Sequence, residues 1–120
     1  SDWYTYHISN DIPDFTVDYL SASPFHDRAI YDKTAPIRGL PTANTPMLIQ
    51  HGTDDRRVPL SNATELYRGL QALGIPVELF VYPGMAHPIT KPRQNYAVLH
   101  QNLSWFSHYL LGTPLDLTPA

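Results

Sequence analysis

Two short turns carry the side chains of this chain best suited to chemistry. The first, His51-Gly52-Thr53-Asp54-Asp55-Arg56-Arg57-Val58-Pro59, holds two carboxylates, an imidazole and two guanidinium groups. The second, Tyr82-Pro83-Gly84-Met85-Ala86-His87, ends on a histidine. A carboxylate stays ionised at neutral pH and only accepts hydrogen bonds. It can therefore take the Nδ1–H of a histidine, fix its tautomer and stabilise its imidazolium form. Imidazole titrates near neutral pH, so it can take a proton from a nucleophile and return it to a leaving group. An acid and a histidine thus suit general acid–base chemistry, provided the fold joins them. Taken alone, Asp-Asp-Arg-Arg is a solvated turn with weak local ion pairs, and a loop histidine is surface decoration.

The elements between the two turns decide the matter. Pro46-Met47-Leu48-Ile49-Gln50 is a short apolar run that reads as a buried strand ending at the acidic turn. Ser61 to Leu73 places Ala63, Leu66, Leu70 and Leu73 at helical spacing, with Ser61 as the expected N-cap and Gly74 as the stop. Val77-Glu78-Leu79-Phe80-Val81-Tyr82 is β-branched and aromatic, apolar on both faces apart from Glu78, as a parallel strand covered on both sides should be. Strand, helix and strand predict a right-handed βαβ unit. In such a unit both strand-ending loops emerge at one sheet edge, where open α/β folds place ligands. Asp54 or Asp55 is then brought towards His87 by topology.

His51-Gly52-x-x-Asp55-x-x-Val58-Pro59 followed by Tyr82-Pro83-Gly84-x-x-His87 looks like the acid and histidine segments of the α/β-hydrolase fold. More narrowly it resembles the prolyl oligopeptidase family of serine peptidases, in its acylaminoacyl-peptidase and dipeptidyl-peptidase-like branch. Leu66-Tyr67-Arg68 to Pro76-Val77-Glu78-Leu79, Ser1-Asp2-Trp3 and Trp105-Phe106 fit the same branch. The resemblance implies an α/β fold, the C-terminal part of an α/β-hydrolase sheet with flanking helices. It implies one partial domain over residues 1–120, with a loose tail over 113–120. Counted back from Val58-Pro59, the family spacing puts the catalytic acid at Asp55, leaves Asp54 as its neighbour and makes His87 the catalytic histidine. His51 then supports its turn. Arg56 and, above all, Arg57 are candidate contacts for a peptide carbonyl or carboxylate, with pairing to Asp54 or Glu65 as the structural alternative.

The family's nucleophile sits in a Gly-x-Ser-x-Gly elbow that precedes the acid and the histidine. None of the seven serines, Ser1, Ser9, Ser21, Ser23, Ser61, Ser104 and Ser107, has glycine two residues to either side. The expectation is two triad members without the third, acting on a peptide or acyl-peptide substrate in an intact enzyme and inactive as this chain. A fragment of an esterase, or a non-catalytic binding and assembly module, are the alternatives.

Composition narrows the partners. With 120 residues, a net charge of −3 and 16% charged residues, no polybasic patch invites nucleic acid or an anionic membrane. Cysteine is absent, and His7, His26, His100 and His108 have no metal-ligand spacing, so no metal or cofactor is expected. No apolar run approaches the roughly eighteen residues of a spanning helix, and no signal peptide is visible. The compartment stays unknown, with the cytoplasm as the default expectation. Ser1 to Ile12 reads as an aromatic loop over the core or one wall of a substrate pocket. Asp14 to Leu20 reads as a helix with Phe15, Tyr19 and Leu20 inward, Pro24 to Tyr31 as a helical turn or two, and Ile37 to Thr45 as a loop. From Arg93 to Leu111, Tyr96, Leu99, Leu103, Phe106 and Leu110 form an apolar stripe expected to cover the sheet, with a dimer seam as the alternative. A two-stranded sheet would also leave open edges, predicting a homo-oligomer.

Overall fold

The computed structural model describes residues 1–113. The expected tail thus lies outside the described residues, Thr113 apart. In chain order the elements are α1 (Trp3–Ser9), α2 (Asp14–Leu20), α3 (Arg28–Thr34), a 3-10 segment (Pro36–Thr42), β1 (Met47–Gly52), α4 (Leu60–Ala72), β2 (Val77–Tyr82) and α5 (Pro92–Phe106). A π-helical turn (Ser107–Leu111) continues α5. The strands pair in parallel, Met47 beside Val77 through to Gly52 beside Tyr82, so their C-terminal ends finish level at one edge.

Helix α4 packs against both strands. Its inward face is Asn62, Ala63 and Leu70, with Leu70 fully buried, while Leu73 is half exposed. Its end is a Schellman closure. Gly74 takes φ +71°, its N–H donates to the Gln71 carbonyl at 3.0 Å, and the Ile75 N–H donates to the Leu70 carbonyl at 3.0 Å. Ile75 is buried, as is Leu70, and the return into β2 begins there. The start differs from the sequence expectation. Pro59, not Ser61, is the cap, without a side-chain hydrogen bond, because the proline at the end of the acidic turn already directs the chain into the helix.

Several flanking segments depart from expectation for physical reasons. Residues 3–9 are helical rather than a loop, because the Asp2 carboxylate accepts the N–H groups of Tyr4 at 2.6 Å and Thr5 at 3.2 Å, a side-chain cap. Helix α2 spans the expected residues, but it buries Thr16. Phe15 and Tyr19 stack on each other at 5.7 Å on its exposed side. Helix α3 starts at Arg28, four residues later than expected from Pro24, behind an Asp27 cap whose side chain accepts the Ile30 N–H. The expected loop over 37–45 is largely the 3-10 segment.

The long C-terminal helix is present, but its apolar stripe does not cover the sheet. Tyr96, Leu99, Leu103, Phe106 and Leu110 are all more than half exposed. Polar contacts fix its rotation. The Tyr82 hydroxyl donates to Gln50 Oε1 at 2.5 Å, and Gln50 Nε2 donates to Asn102 Oδ1 at 2.9 Å. With Asn102 held against β1, the helical period carries the stripe round to solvent. The strands, expected to be covered on both faces, are mostly half-buried for the same reason. The radius of gyration, 16.6 Å, exceeds the roughly 14 Å of a compact domain of this size.

The two strand-ending loops pack closely where they meet. A Cβ on Gly52 would fall closer than 3.0 Å to backbone atoms of Met85 and Ala86, which cannot swing aside as a flexible side chain would. Gly52→Ala should therefore lower stability by about 1–3 kcal/mol. Gly39→Ala, where a Cβ meets nothing within 4 Å, should leave it nearly unchanged. Equal denaturation midpoints for the two variants would overturn this account of the loop junction.

Candidate active site

The acidic turn begins at Gly52 and is stitched to the histidine turn by backbone. The Thr53 N–H donates to the Tyr82 carbonyl at 3.1 Å, and the Asp54 N–H to the Met85 carbonyl at 2.9 Å. The Gly84 N–H donates to Thr53 Oγ1 at 2.8 Å. On the other side, Tyr82-Pro83-Gly84-Met85 is a type II turn, with proline second, Gly84 third at φ +67°, and the Met85 N–H returning to the Tyr82 carbonyl at 3.3 Å. Met85 is 3% exposed and anchors this turn. The chain then continues to His87, which lies over the acid.

Asp55 is buried, and both its oxygens are engaged. Oδ1 accepts the backbone N–H groups of Arg57 and Val58, each at 2.9 Å, a local turn closed by the side chain. Oδ2 faces His87 Nδ1 at 2.8 Å. An ionised carboxylate only accepts, so Nδ1 carries the proton and neutral His87 presents Nε2 as a proton acceptor. The Asp55 side chain is 5% exposed and that of His87 58%. A fixed, buried acid thus orients an imidazole open to a reactant. Burial pushes the Asp55 carboxyl up, but the Val58 N–H, the His87 hydrogen bond and the charges of His87 and His51 outweigh it. Together they hold the carboxyl below the usual carboxylate range.

The remaining polar residues have other positions. Asp54 is exposed and accepts from the Thr53 hydroxyl at 2.7 Å. His51, the penultimate residue of β1, places Nε2 at 2.7 Å from the Val58 carbonyl and 3.5 Å from Asp55 Oδ2. Arg57 pairs through Nε with Asp11 at 2.9 Å, not with Asp54 or Glu65. Glu65 instead accepts from the hydroxyls of Ser1 and Thr5. The Asp11 N–H also donates to the Arg56 carbonyl at 3.0 Å, so the connection between α1 and α2 braces the acidic turn. Sequence reasoning missed Thr53, Met85 and Asp11. Only Thr53 offered a signal, as a hydroxyl beside a glycine in a turn. Among the described residues no three His, Cys, Asp or Glu side chains converge as a metal site, and no helix is long and apolar enough to cross a membrane.

Beside the acidic turn opens a cavity of about 330 Å³, lined by Trp3 and Tyr6 of α1, the preceding Ser1 and Asp2, and Phe15, Pro36, Val58 and Asn62. Val58 joins it to the acid, since the Val58 N–H is one of the two donors to Asp55 Oδ1. Tyr6 is buried along this wall. A concave, mainly apolar surface with a few polar groups suits an apolar side chain of a ligand.

Comparison with known proteins identifies the family and the fold. The chain is 31% identical over 107 residues to the acylamino-acid-releasing enzyme of Arabidopsis thaliana, covering 82% of this chain and 14% of that relative. It is 31% identical over 114 residues to an uncharacterized peptidase, YuxL, of Bacillus subtilis, covering 92% and 17%. The human acylamino-acid-releasing enzyme is 35% identical over 91 residues, covering 69% and 12%. The chain therefore spans about a seventh of the length of such relatives. Among solved structures, the acylaminoacyl peptidase of Pyrococcus horikoshii superposes with a TM-score of 0.84 at 22% identity, covering all of this chain and 20% of that one. A puromycin-hydrolyzing peptidase of Mycobacterium tuberculosis gives 0.87 at 20% identity, covering 100% and 18%. At such identities the superpositions establish the α/β-hydrolase fold. The model of the prolyl oligopeptidase family matches residues 1–113, and the chain belongs to that family of serine peptidases.

Proposed function

We propose that this chain contributes the acid and the histidine of a Ser-His-Asp relay to a serine peptidase that cleaves peptide or acyl-peptide bonds. The observation that carries the reading is the pairing of a buried, doubly braced Asp55 with a half-exposed His87 through Nδ1. A serine hydroxyl, which none of this chain's seven serines supplies in an elbow, would lose its proton to His87 Nε2 as it attacks the carbonyl. The imidazolium so formed is stabilised by Asp55 and then returns the proton to the leaving amine. Donors for the oxyanion lie with the nucleophile, outside this chain. The cavity walled by Trp3, Tyr6, Phe15 and Val58 is assigned to an apolar substrate side chain. Arg57, paired with Asp11 and next in sequence to the cavity-lining Val58, is assigned as a contact for a substrate carbonyl or carboxylate. Acyl-peptide substrates are favoured over simple esters by the acylamino-acid-releasing relatives.

One observation favours a second reading, in which the chain is a non-catalytic assembly module. Among the described residues each strand has one partner and the α5 stripe is exposed, so an open sheet edge and an apolar surface are both offered to a second chain. This reading predicts self-association, and a strictly monomeric mass in concentrated light scattering would remove it.

Three results test the catalytic reading. In the full-length peptidase containing this chain, Asp55→Asn should lower kcat on an acylaminoacyl chromogenic substrate by about 10⁴-fold, because an amide no longer enforces the Nδ1–H tautomer. His87→Ala should do at least as much, and near-native turnover by either variant would sink the assignment. The 120-residue chain alone should show no turnover. Acid stability gives the third. The Asp55 carboxyl is lowered in the folded state, so on acidification the unfolded chain takes up its proton first. The stabilisation is complete above the unfolded carboxylate range, about pH 4, and is lost as pH falls through the lower folded value. Denaturation measured from about pH 6 to pH 2 should show this acid-side loss in the wild type and its reduction in Asp55→Asn. Identical slopes would contradict the charge state assigned to Asp55.

A further inference from the structure

We propose that His51 is a positioning residue for the Asp55–His87 pair, acting as the strut that closes the acidic turn. For its functional meaning this rests on the catalytic reading above. The geometry itself does not.

Asp55 is aimed at His87 because its other oxygen is pinned by two N–H groups, those of Arg57 and Val58. Those donors are useful only if residues 57–58 hold still, and they belong to an irregular loop between β1 and α4. One side chain ties the far end of that loop back to the sheet. His51 sits on β1 in parallel register with Val81, and its Nε2 lies 2.7 Å from the Val58 carbonyl. A carbonyl only accepts, so Nε2 is protonated and donates, and in the neutral ring Nδ1 is bare. The Val58 carbonyl and the Val58 N–H that reaches Asp55 lie on either side of one Cα, so the bond from His51 holds in place the residue that supplies the N–H. The same Nε2–H lies 3.5 Å from Asp55 Oδ2, too far for a hydrogen bond but close enough to turn the positive end of its N–H dipole towards the carboxylate. Two imidazoles of opposite tautomer thus flank one acid. His51, 12% exposed, is Nε2–H and structural to the turn, and His87, 58% exposed, is Nδ1–H and open to a reactant.

Phenylalanine at 51 keeps an aromatic ring and removes the donor, whereas glutamine carries an N–H at about the reach of Nε2. The test is long-range proton–nitrogen correlation of the histidine rings in the 120-residue chain at about pH 8, above the ordinary imidazole range. In the wild type His51 should be the Nε2–H form and His87 the Nδ1–H form. In His51→Phe, His87 should go over to the Nε2–H form that a free imidazole prefers in water, while His51→Gln should keep it Nδ1–H. A role confined to stability would shift the unfolding midpoint without moving the His87 tautomer. Retention of Nδ1–H on His87 in a folded His51→Phe overturns the proposal, as does an Nδ1–H tautomer at His51 itself. Should His51→Phe fail to fold, His51→Gln decides. His87 in the Nε2–H form there refutes positioning, and in the Nδ1–H form supports it. An active His87→Ala in the full-length peptidase would end the catalytic reading and leave this result standing.

Discussion

The arrangement depends on a single buried charge. A carboxylate withdrawn from water must have its oxygens occupied, and Asp55 meets this with two backbone N–H groups on Oδ1 and an imidazole on Oδ2. Each partner comes from a different place in the chain. The backbone donors come from the loop it starts, and His87 comes from the loop after the next strand. The rest of the βαβ unit serves to bring those places together. Parallel register ends both strands level, the missing Cβ at Gly52 lets the loops touch, and the type II turn at Pro83-Gly84 returns the chain over the acid. Had either loop been displaced by one residue, the carboxylate would lose the His87 contact on Oδ2, one of the interactions that with the Val58 N–H holds it ionised.

Local chemistry was legible in the sequence wherever a few adjacent residues decide the outcome. Val77–Tyr82 forms a strand over the expected residues, and Gly74 closes α4 as its conformational freedom predicted. The convergence of Asp55 and His87 follows from the βαβ topology and the motif spacing. The helix at 3–9 was hidden because its cause is one hydrogen-bonding side chain, Asp2, at the head of a segment whose aromatic content reads as irregular. The cap at Pro59 was missed because Ser61 is the more usual residue type. The bracing of the turn by Asp11 was illegible for a different reason. It joins residues 46 apart through an exposed ion pair, and no periodicity signals such a contact.

The stripe of α5 shows where a correct element can carry a wrong contact. Hydrophobic periodicity predicts a helix and an apolar face, but it does not say what the face meets. In this chain Gln50, wedged between the Tyr82 hydroxyl and Asn102, sets the rotation of α5 by hydrogen bonding. Hydrogen bonds are directional where apolar contact is not, and in a partly apolar setting they resist being broken. Burial raises the Tyr82 phenol, so its hydroxyl remains a donor in this relay. The result is a two-stranded sheet whose faces are half covered and a helix whose apolar residues meet solvent.

These two halves of the structure obey different physics, and the contrast bears on how such a site persists. The apolar stripe and open strands are extensive. Their contribution grows with the area they bury, and in this chain much of that area is unburied. The acid–histidine pair is intensive. Its geometry is set by one steric contact and by hydrogen bonds among residues 51–58 and 82–87, some between backbone groups and the others made by the side chains of His51, Thr53, Asp55 and His87. An incomplete core weakens every element by a share, but it does not redirect a carboxylate already held at both oxygens. The geometry of the acid–histidine pair and the completeness of the hydrophobic layer are therefore separable properties here. The Asp55–His87 pair is organised by its own two loops, and it leaves Nε2 of His87 on the exposed side.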